Sequence, residues 1–407
     1  MFWMNFRRFS SAAERRTGIV MMNMGGPSTV SETESFLSRL FTDRDIVQLP
    51  FQSYTAPILV RRRTPDVSAK YASIGGGSPI RRWTASQGAA LESILNATQT
   101  QTLFKSYAMF RYADPLTDTT IDELLRDGIR RVVLFSQYPQ WSCTTAGSSV
   151  NAFFKAVRAR NLQNEFRVSI IDRWATHPAF ISALANRIES VVPLASADSY
   201  NIRHAESWKP GFDESLVALA SSFADKRLQH RERNTVLLFS AHSLPMKIVQ
   251  KGDPYPQLVG ATVSAVMDEL KRRNPAGPQF PYLLTWQSQV GPLPWLGPKT
   301  DHVIEKLGKR GVHSVIVVPV AFTSDHIETL SEIDHDFGET AQKAGVKVFI
   351  RTPSMNGAPD FADALAQVVR DHLEEQRNHS PQYPLRCPDC TNPLCRPIDN
   401  PAFPIDL

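Results

Sequence analysis

Cysteine is scarce in this chain of 407 residues: there are four, and Cys387, Cys390 and Cys395 fall together in CPDCTNPLC. So few thiols exclude a disulfide-stapled scaffold. Long apolar runs are also missing. No stretch reaches the roughly 18 uninterrupted apolar residues of a membrane-spanning helix. The most apolar run, SVIVVPVAF (314–322), is short and β-branched and reads as a buried strand. Nucleotide signatures are lacking too. MGGPST (24–29) and IGGGSP (74–79) are glycine-rich, but neither continues into Gly-Lys-Ser/Thr nor fits Gly-x-Gly-x-x-Gly. They supply turns or a close backbone approach. His-Glu-x-x-His is absent, so the chain is not metalloprotease-like. The charge excess is weak, 45 Lys and Arg against 40 Asp and Glu. The basic residues are scattered in pairs and one triple, Arg61-Arg62-Arg63, which argues against a nucleic-acid partner.

What is present reads as an α/β protein. The first 16 residues carry Arg7, Arg8, Arg15 and Arg16, two serines and one acid, with no apolar core, as in an organellar transit segment. Short apolar runs follow at 18–23, 103–110, 130–136, 166–172, 235–241, 282–286, 313–320 and 346–350, most separated by helical stretches. That alternation predicts parallel sheets covered by helices on both faces. There is an internal echo. DGIRRVVLFSQYPQWSC (127–143) aligns without a gap to RGVHSVIVVPVAFTSDH (310–326), and Met24 and Pro27 correspond to His242 and Pro245. Two similar doubly wound, Rossmann-like halves are expected, 17–195 and 231–356, facing each other across a cleft. An insertion or linker spans 196–230, and a helix with a cysteine-bearing extension spans 357–407. Ligands of such sheets sit beyond the carboxyl ends of the strands.

His242 follows an apolar strand at such an end, where a neutral imidazole can take a proton near pH 7. Glu328, Glu332 and Asp336 recur every four residues after the matching strand, so they share one helix face. They form either a proton or cation ladder or a solvated acidic face, and Ser324 or Asp325 is placed to cap that helix. The segments 51–63 and 286–298, the latter presenting Trp286 and Trp295 among prolines, read as an apolar rim for a membrane interface or as core. Zinc and iron–sulfur centres both want four ligands. The thiol outside the C-terminal group is Cys143, on a strand-end loop.

Taken together, MNMGGP, IGGGSPI, QYP, FSAHSLP, GDPYPQ, WQSQVGPLPWLGP and AFTSDHIETL resemble the ferrochelatases, from about residue 17 to 397. The CPDCTNPLC tail resembles that of the animal-type mitochondrial members, which carry a 2Fe-2S cluster. The resemblance implies insertion of Fe2+ into protoporphyrin IX to give protohaem and two protons. It implies a mitochondrial enzyme lying on the matrix face of the inner membrane without spanning it, and a homodimer. It implies His242 as proton acceptor, Glu328 as its paired carboxylate, and His177 as a lesser catalytic candidate. Met24, Leu40, Phe41, Trp295 and Phe322 become apolar walls. Arg63, Tyr71, Ser78 and Arg111 hold the propionates or line the pocket mouth. Tyr138, Trp174, Glu332 and Asp336 border the iron or proton route, and Cys143, Cys387, Cys390 and Cys395 ligate the cluster, with zinc as the alternative occupant. Asp114 and Gln367 depart from the family pattern. Two other readings stay open: a chelatase of the same fold acting on another porphyrin or metal, and a non-catalytic haem or iron–sulfur binding protein.

Overall fold

The computed structural model describes residues 16–47, 49–98, 102–196, 200–201, 234–277, 279–390, 392 and 395–396. The transit-like segment, apart from Arg16, lies outside the described residues, as do most of 196–230 and the last eleven residues.

Strands β1 (Arg16–Asn23), β2 (Leu103–Phe110), β3 (Arg131–Ser136) and β4 (Arg167–Ile171) form one sheet in the order β2-β1-β3-β4. Strands β5 (Tyr200–Asn201), β6 (Thr235–His242), β7 (Tyr282–Gln287), β8 (Ser314–Pro319) and β9 (Val348–Arg351) form the other, in the order β5-β9-β8-β6-β7. Every pairing is parallel. The central strands are continuous apolar runs because helices cover both faces.

The echo is a register match. Met22 pairs with Ser136 in the first sheet, and Ser240 pairs with Pro319 in the second. The next hydrogen bond repeats as well: Gln137 N–H donates to Met22 O at 3.0 Å, and Val320 N–H to Ser240 O at 3.1 Å. The order β7-β6-β8-β9 thus repeats β2-β1-β3-β4, and Met24 and His242 emerge from corresponding strand ends.

The first sheet carries α1 (Thr33–Thr42), α2 (Gln52–Ser73), α3 (Ile80–Thr98), α4 (Thr117–Arg126), α5 (Ser148–Ala159) and α6 (Pro178–Val191). With the second sheet go α7 (Met246–Gln250), α8 (Tyr255–Arg273), α9 (Thr300–Lys309), α10 (Gly338–Lys343) and α11 (Pro359–Glu374). Two π-helical stretches interrupt the pattern, Cys143–Gly147 and Glu328–Phe337. Both follow a third strand of the repeat, and π turns recur at functional sites.

The sheets share one core, in which Ile19, Met21 and Phe135 join Phe239, Val318 and Ile350. Helix α11 crosses from the second sheet to pack on α3 and α6. Two buried amides tie the halves: Gln87 Nε2 donates to Thr323 O and Asn356 O, at 3.0 and 2.7 Å, and Gln140 Nε2 to Val320 O at 3.2 Å. Buried amides without partners are costly, so these bonds fix how the halves meet.

Candidate active site

The glycine-rich loops pack on each other. Ser78 N–H donates to Pro27 O at 2.6 Å. A Cβ on Gly26 would stand 2.6 Å from the Ser78 side chain, and one on Gly77 would stand 2.1 Å from Ser28 O. Only glycine permits that approach. It fixes Met24, Tyr71 and Ser78 on one wall. Met24, Leu40 and Phe41 pack on an apolar cluster built from Phe36, Val60, Phe110 and Tyr112. Tyr71, at the end of α2, meets Ile327 and Leu330 of the second half.

His242 ends β6. Its Nδ1 lies 2.6 Å from Ser243 O and donates to it, which leaves Nε2 as the nitrogen that can exchange a proton. Nε2 is 3.4 Å from Glu328 Oε1. The other carboxylate oxygen, Oε2, is 2.9 Å from His326 Nε2, whose Nδ1 is anchored on Ser324 O at 2.9 Å. Glu328 therefore sits between two imidazoles. Phe322 closes one side, its ring 4.6 Å from that of His326, and Trp295 stands 6.4 Å from His242. Burial lifts the Glu328 carboxyl, but the adjacent His242 charge and the His326 hydrogen bond outweigh it and hold the group at about 2.

The acidic ladder lies on a π-helix rather than on the α-helix that the spacing predicts. A wider turn still keeps residues four apart near one face. Glu332 accepts from Ser288 N at 2.7 Å, Gln287 Nε2 at 3.0 Å and Ser288 Oγ. Burial and the neighbouring Glu328 charge raise its proton affinity against these bonds. Asp336 is at the surface, 3.3 Å from Lys70 of α2. Ser324 and Asp325 do not cap the helix. Asp325 turns inward, where Arg351, Ser354, Asn356 and Thr329 surround its carboxylate.

The remaining candidates spread further. Tyr138 is held by Met24 N and Asn23 Oδ1, at 2.9 and 3.2 Å, and burial raises its phenol, so it stays protonated. Trp174 is core, donating to Ser136 O at 2.8 Å. His177 caps α6 through Nδ1 and pairs with Asp371 of α11 through Nε2 at 2.9 Å, so both ring nitrogens are engaged away from His242. Gln367 donates to the same Asp371. Arg111 is tied to Asp43 and to Ser148 Oγ, whereas Arg63 has no polar partner among the described residues. Trp286, read as rim or core, is core: the carboxyl half of β7, Thr285 to Gln287, is buried on both faces. The rim residues at the surface are Phe51, Tyr54, Ile58 and Leu293, each at least 70% exposed.

The structure brings the four cysteines into one neighbourhood. Burial and the Asp253 carboxylate push the Cys143 thiol up, and Cys387 and Cys395 add to the shift. Burial and Cys390 push Cys395 up to about 11. Asp253 binds Cys143 N–H at 2.8 Å, and Pro388 packs on Gly252 beside it. No three His, Cys, Asp or Glu side chains among the described residues already stand as a metal cage. The donor set, four thiols drawn from the body and the tail, suits a four-thiolate centre.

Sequence reasoning passed over His326, Asp253 and Arg396. The first lies inside AFTSDHIETL, two residues before Glu328. The other two act through tertiary contacts that no spacing reveals.

A histidine at a strand end stands beside a part-buried carboxylate in a repeated parallel α/β fold, an arrangement chemically able to exchange protons. Known proteins make this specific. The ferrochelatase family model matches residues 16–205 and 198–373. Mitochondrial ferrochelatase of Dictyostelium discoideum is 46% identical over 397 residues, covering 96% of this chain and 90% of that protein. Those of Xenopus laevis and Homo sapiens are 44% and 43% identical, covering 93% and 94% of this chain and 84% and 82% of theirs. SirB from Bacillus subtilis, solved with Fe3+, is a distant likeness at 11% identity and a TM-score of 0.46, covering 88% of this chain and 95% of that one. The chain belongs to the ferrochelatase family.

Proposed function

We propose that this protein inserts Fe2+ into protoporphyrin IX, giving protohaem and two protons in the terminal step of haem biosynthesis. The observation that carries the reading is the His242–Glu328–His326 array at a strand end of a chain that matches ferrochelatases over most of its length.

The macrocycle must lose two pyrrole protons as the metal enters. Bending the ring exposes its nitrogen lone pairs, at a cost of about 1–5 kcal/mol drawn from binding the rest of the porphyrin. Met24, Leu40, Phe41, Phe322 and Trp295 supply the apolar contact area, with Tyr71 and Ser78 at the pocket mouth. Arg63 is the guanidinium available for a propionate, since Arg111 is already committed to Asp43.

His242 Nε2 takes the pyrrole proton, because Nδ1–H is fixed on Ser243 O. Glu328 stays ionised and stabilises the imidazolium. The proton then passes toward Glu332, whose carboxyl holds it more tightly, and leaves by Asp336. Tyr138 orders Met24 and Asn23 at the opposite wall. Trp174 and His177 support that wall through the core and the start of α6.

Cys143, Cys387, Cys390 and Cys395 would hold a 2Fe-2S cluster, which supplies a one-electron centre when bound. Ligation by all four would tie the tail to the body, where Pro388 already packs on Gly252. The exposed Phe51, Tyr54, Ile58 and Leu293 support peripheral contact with the inner mitochondrial membrane, and a homodimer is carried over from the family. The chain divides into halves at 17–195 and 231–356. Anaerobic incubation with Fe2+ and protoporphyrin IX tests the reading. Appearance of the protohaem spectrum is expected. Porphyrin binding without metal insertion would instead mark a carrier.

A further inference from the structure

Arg396, next to Cys395, is buried, and its backbone adopts a left-handed conformation (φ 57°) that non-glycine residues rarely hold. Such strain persists only where the surroundings over-determine it. One terminal nitrogen donates to three carbonyls of the preceding turn: Gln382 O at 2.9 Å, Tyr383 O at 3.0 Å and Leu385 O. The guanidinium lies 5.1 Å above Trp141. The other terminal nitrogen is 3.8 Å from Cys387 Sγ, and Nε is buried without a partner. Among the described residues Arg396 has no ion pair with a carboxylate.

A buried cation must find a counter-charge. The nearby carboxylate, Asp253, is spent on Cys143 N–H, Ser142 Oγ and Tyr255 N–H. Among the described residues, the group capable of negative charge that is shown against the guanidinium is the Cys387 thiol, 3.8 Å away. Four thiolates around two ferric ions and two sulfides, or around one zinc ion, carry net negative charge.

We propose that Arg396 is the positioning residue and counter-cation of the thiolate centre, directing an N–H at the Cys387 sulfur. This rests on reading the four cysteines as one centre. Hydrogen bonds to ligand sulfur and nearby positive charge stabilise the reduced cluster and raise its potential. They also slow loss of the metal, because removing the cation leaves the thiolates repelling one another in a buried site. The three carbonyl bonds lock the guanidinium in place, so the left-handed backbone serves the sulfur contact. A purely structural Arg396 would knit the turn and leave the centre's electronic properties untouched.

The test uses the full-length protein purified anaerobically, as wild type, Arg396→Gln and Arg396→Lys. Iron and acid-labile sulfide, the midpoint potential and the rate of iron release to a chelator are measured. Arg396→Gln is expected to lower the potential and to release iron roughly tenfold to a hundredfold faster. Arg396→Lys, which keeps the charge, is expected to hold the potential near that of wild type. An unchanged potential and release rate in Arg396→Gln would overturn the proposal. If that variant does not fold, a lowered potential in Arg396→Lys would overturn it. Wild type without iron or sulfide would instead sink the underlying reading of the cysteines.

Discussion

His242 Nε2 and Glu328 Oε1 stand 3.4 Å apart, and the opposite oxygen of the same carboxylate meets His326 at 2.9 Å. One ionised group thus serves two imidazoles, each anchored through its Nδ1 on a backbone carbonyl. Both Nδ1 atoms are held on carbonyls, so in each ring Nε2 faces the carboxylate, and in His242 that nitrogen is the one placed to receive a proton.

The sign of the pH dependence follows from Glu328. Its carboxyl falls from 4.5 to about 2 on folding. A depressed carboxyl contributes stability that is full above its unfolded value and is lost as pH falls through its folded one. Glu328→Gln should therefore be less stable than wild type near about pH 6, with the gap closing between 4.5 and about 2. Urea unfolding along a pH series measures this, and a constant gap would contradict it.

Glu332 separates proton exit from iron delivery. Because its carboxyl binds protons more tightly than that of Glu328, Glu332→Gln should slow turnover while the KM for iron stays unchanged. A higher KM for iron would assign the ladder to metal delivery.

Lys70 and Asp336 join α2 to the outer end of that ladder, with both side chains about half exposed. Exposed pairs are worth at most about 1 kcal/mol. Lys70→Ala should accordingly leave thermal stability within that margin, read by calorimetry. A larger loss would mean that α2 depends on this contact.

Arg351 is different, being buried against both Asp325 and Asp334 at 3.0 and 2.6 Å. Arg351→Met strands two buried carboxylates and should cost about 3–5 kcal/mol. Because Asp325 precedes His326, activity should fall with stability. Chemical denaturation beside a turnover assay checks both.

The fold was largely legible because the strands are short apolar runs bounded by turns, and because duplication copied register as well as pattern. The Met22–Ser136 and Ser240–Pro319 pairs fall where the gapless alignment puts them. The site was legible where a residue follows its strand directly, as His242 does. It was not legible where tertiary contacts decide. Asp325 looked like a helix cap, but a buried arginine 26 residues downstream claims its carboxylate. For Trp286 the sequence left rim and core both open, and burial of the whole carboxyl half of β7, Thr285 to Gln287, decides for core. The π-helix was hidden because i, i+4 spacing suits both helix types.

The most direct measurement is anaerobic turnover of Fe2+ and protoporphyrin IX by wild type and His242→Ala. Protohaem formation by wild type, falling by roughly 10²–10⁴-fold in the variant with porphyrin still bound, is the expected result. Equal turnover by both would place the proton acceptor elsewhere and contradict the role assigned to His242.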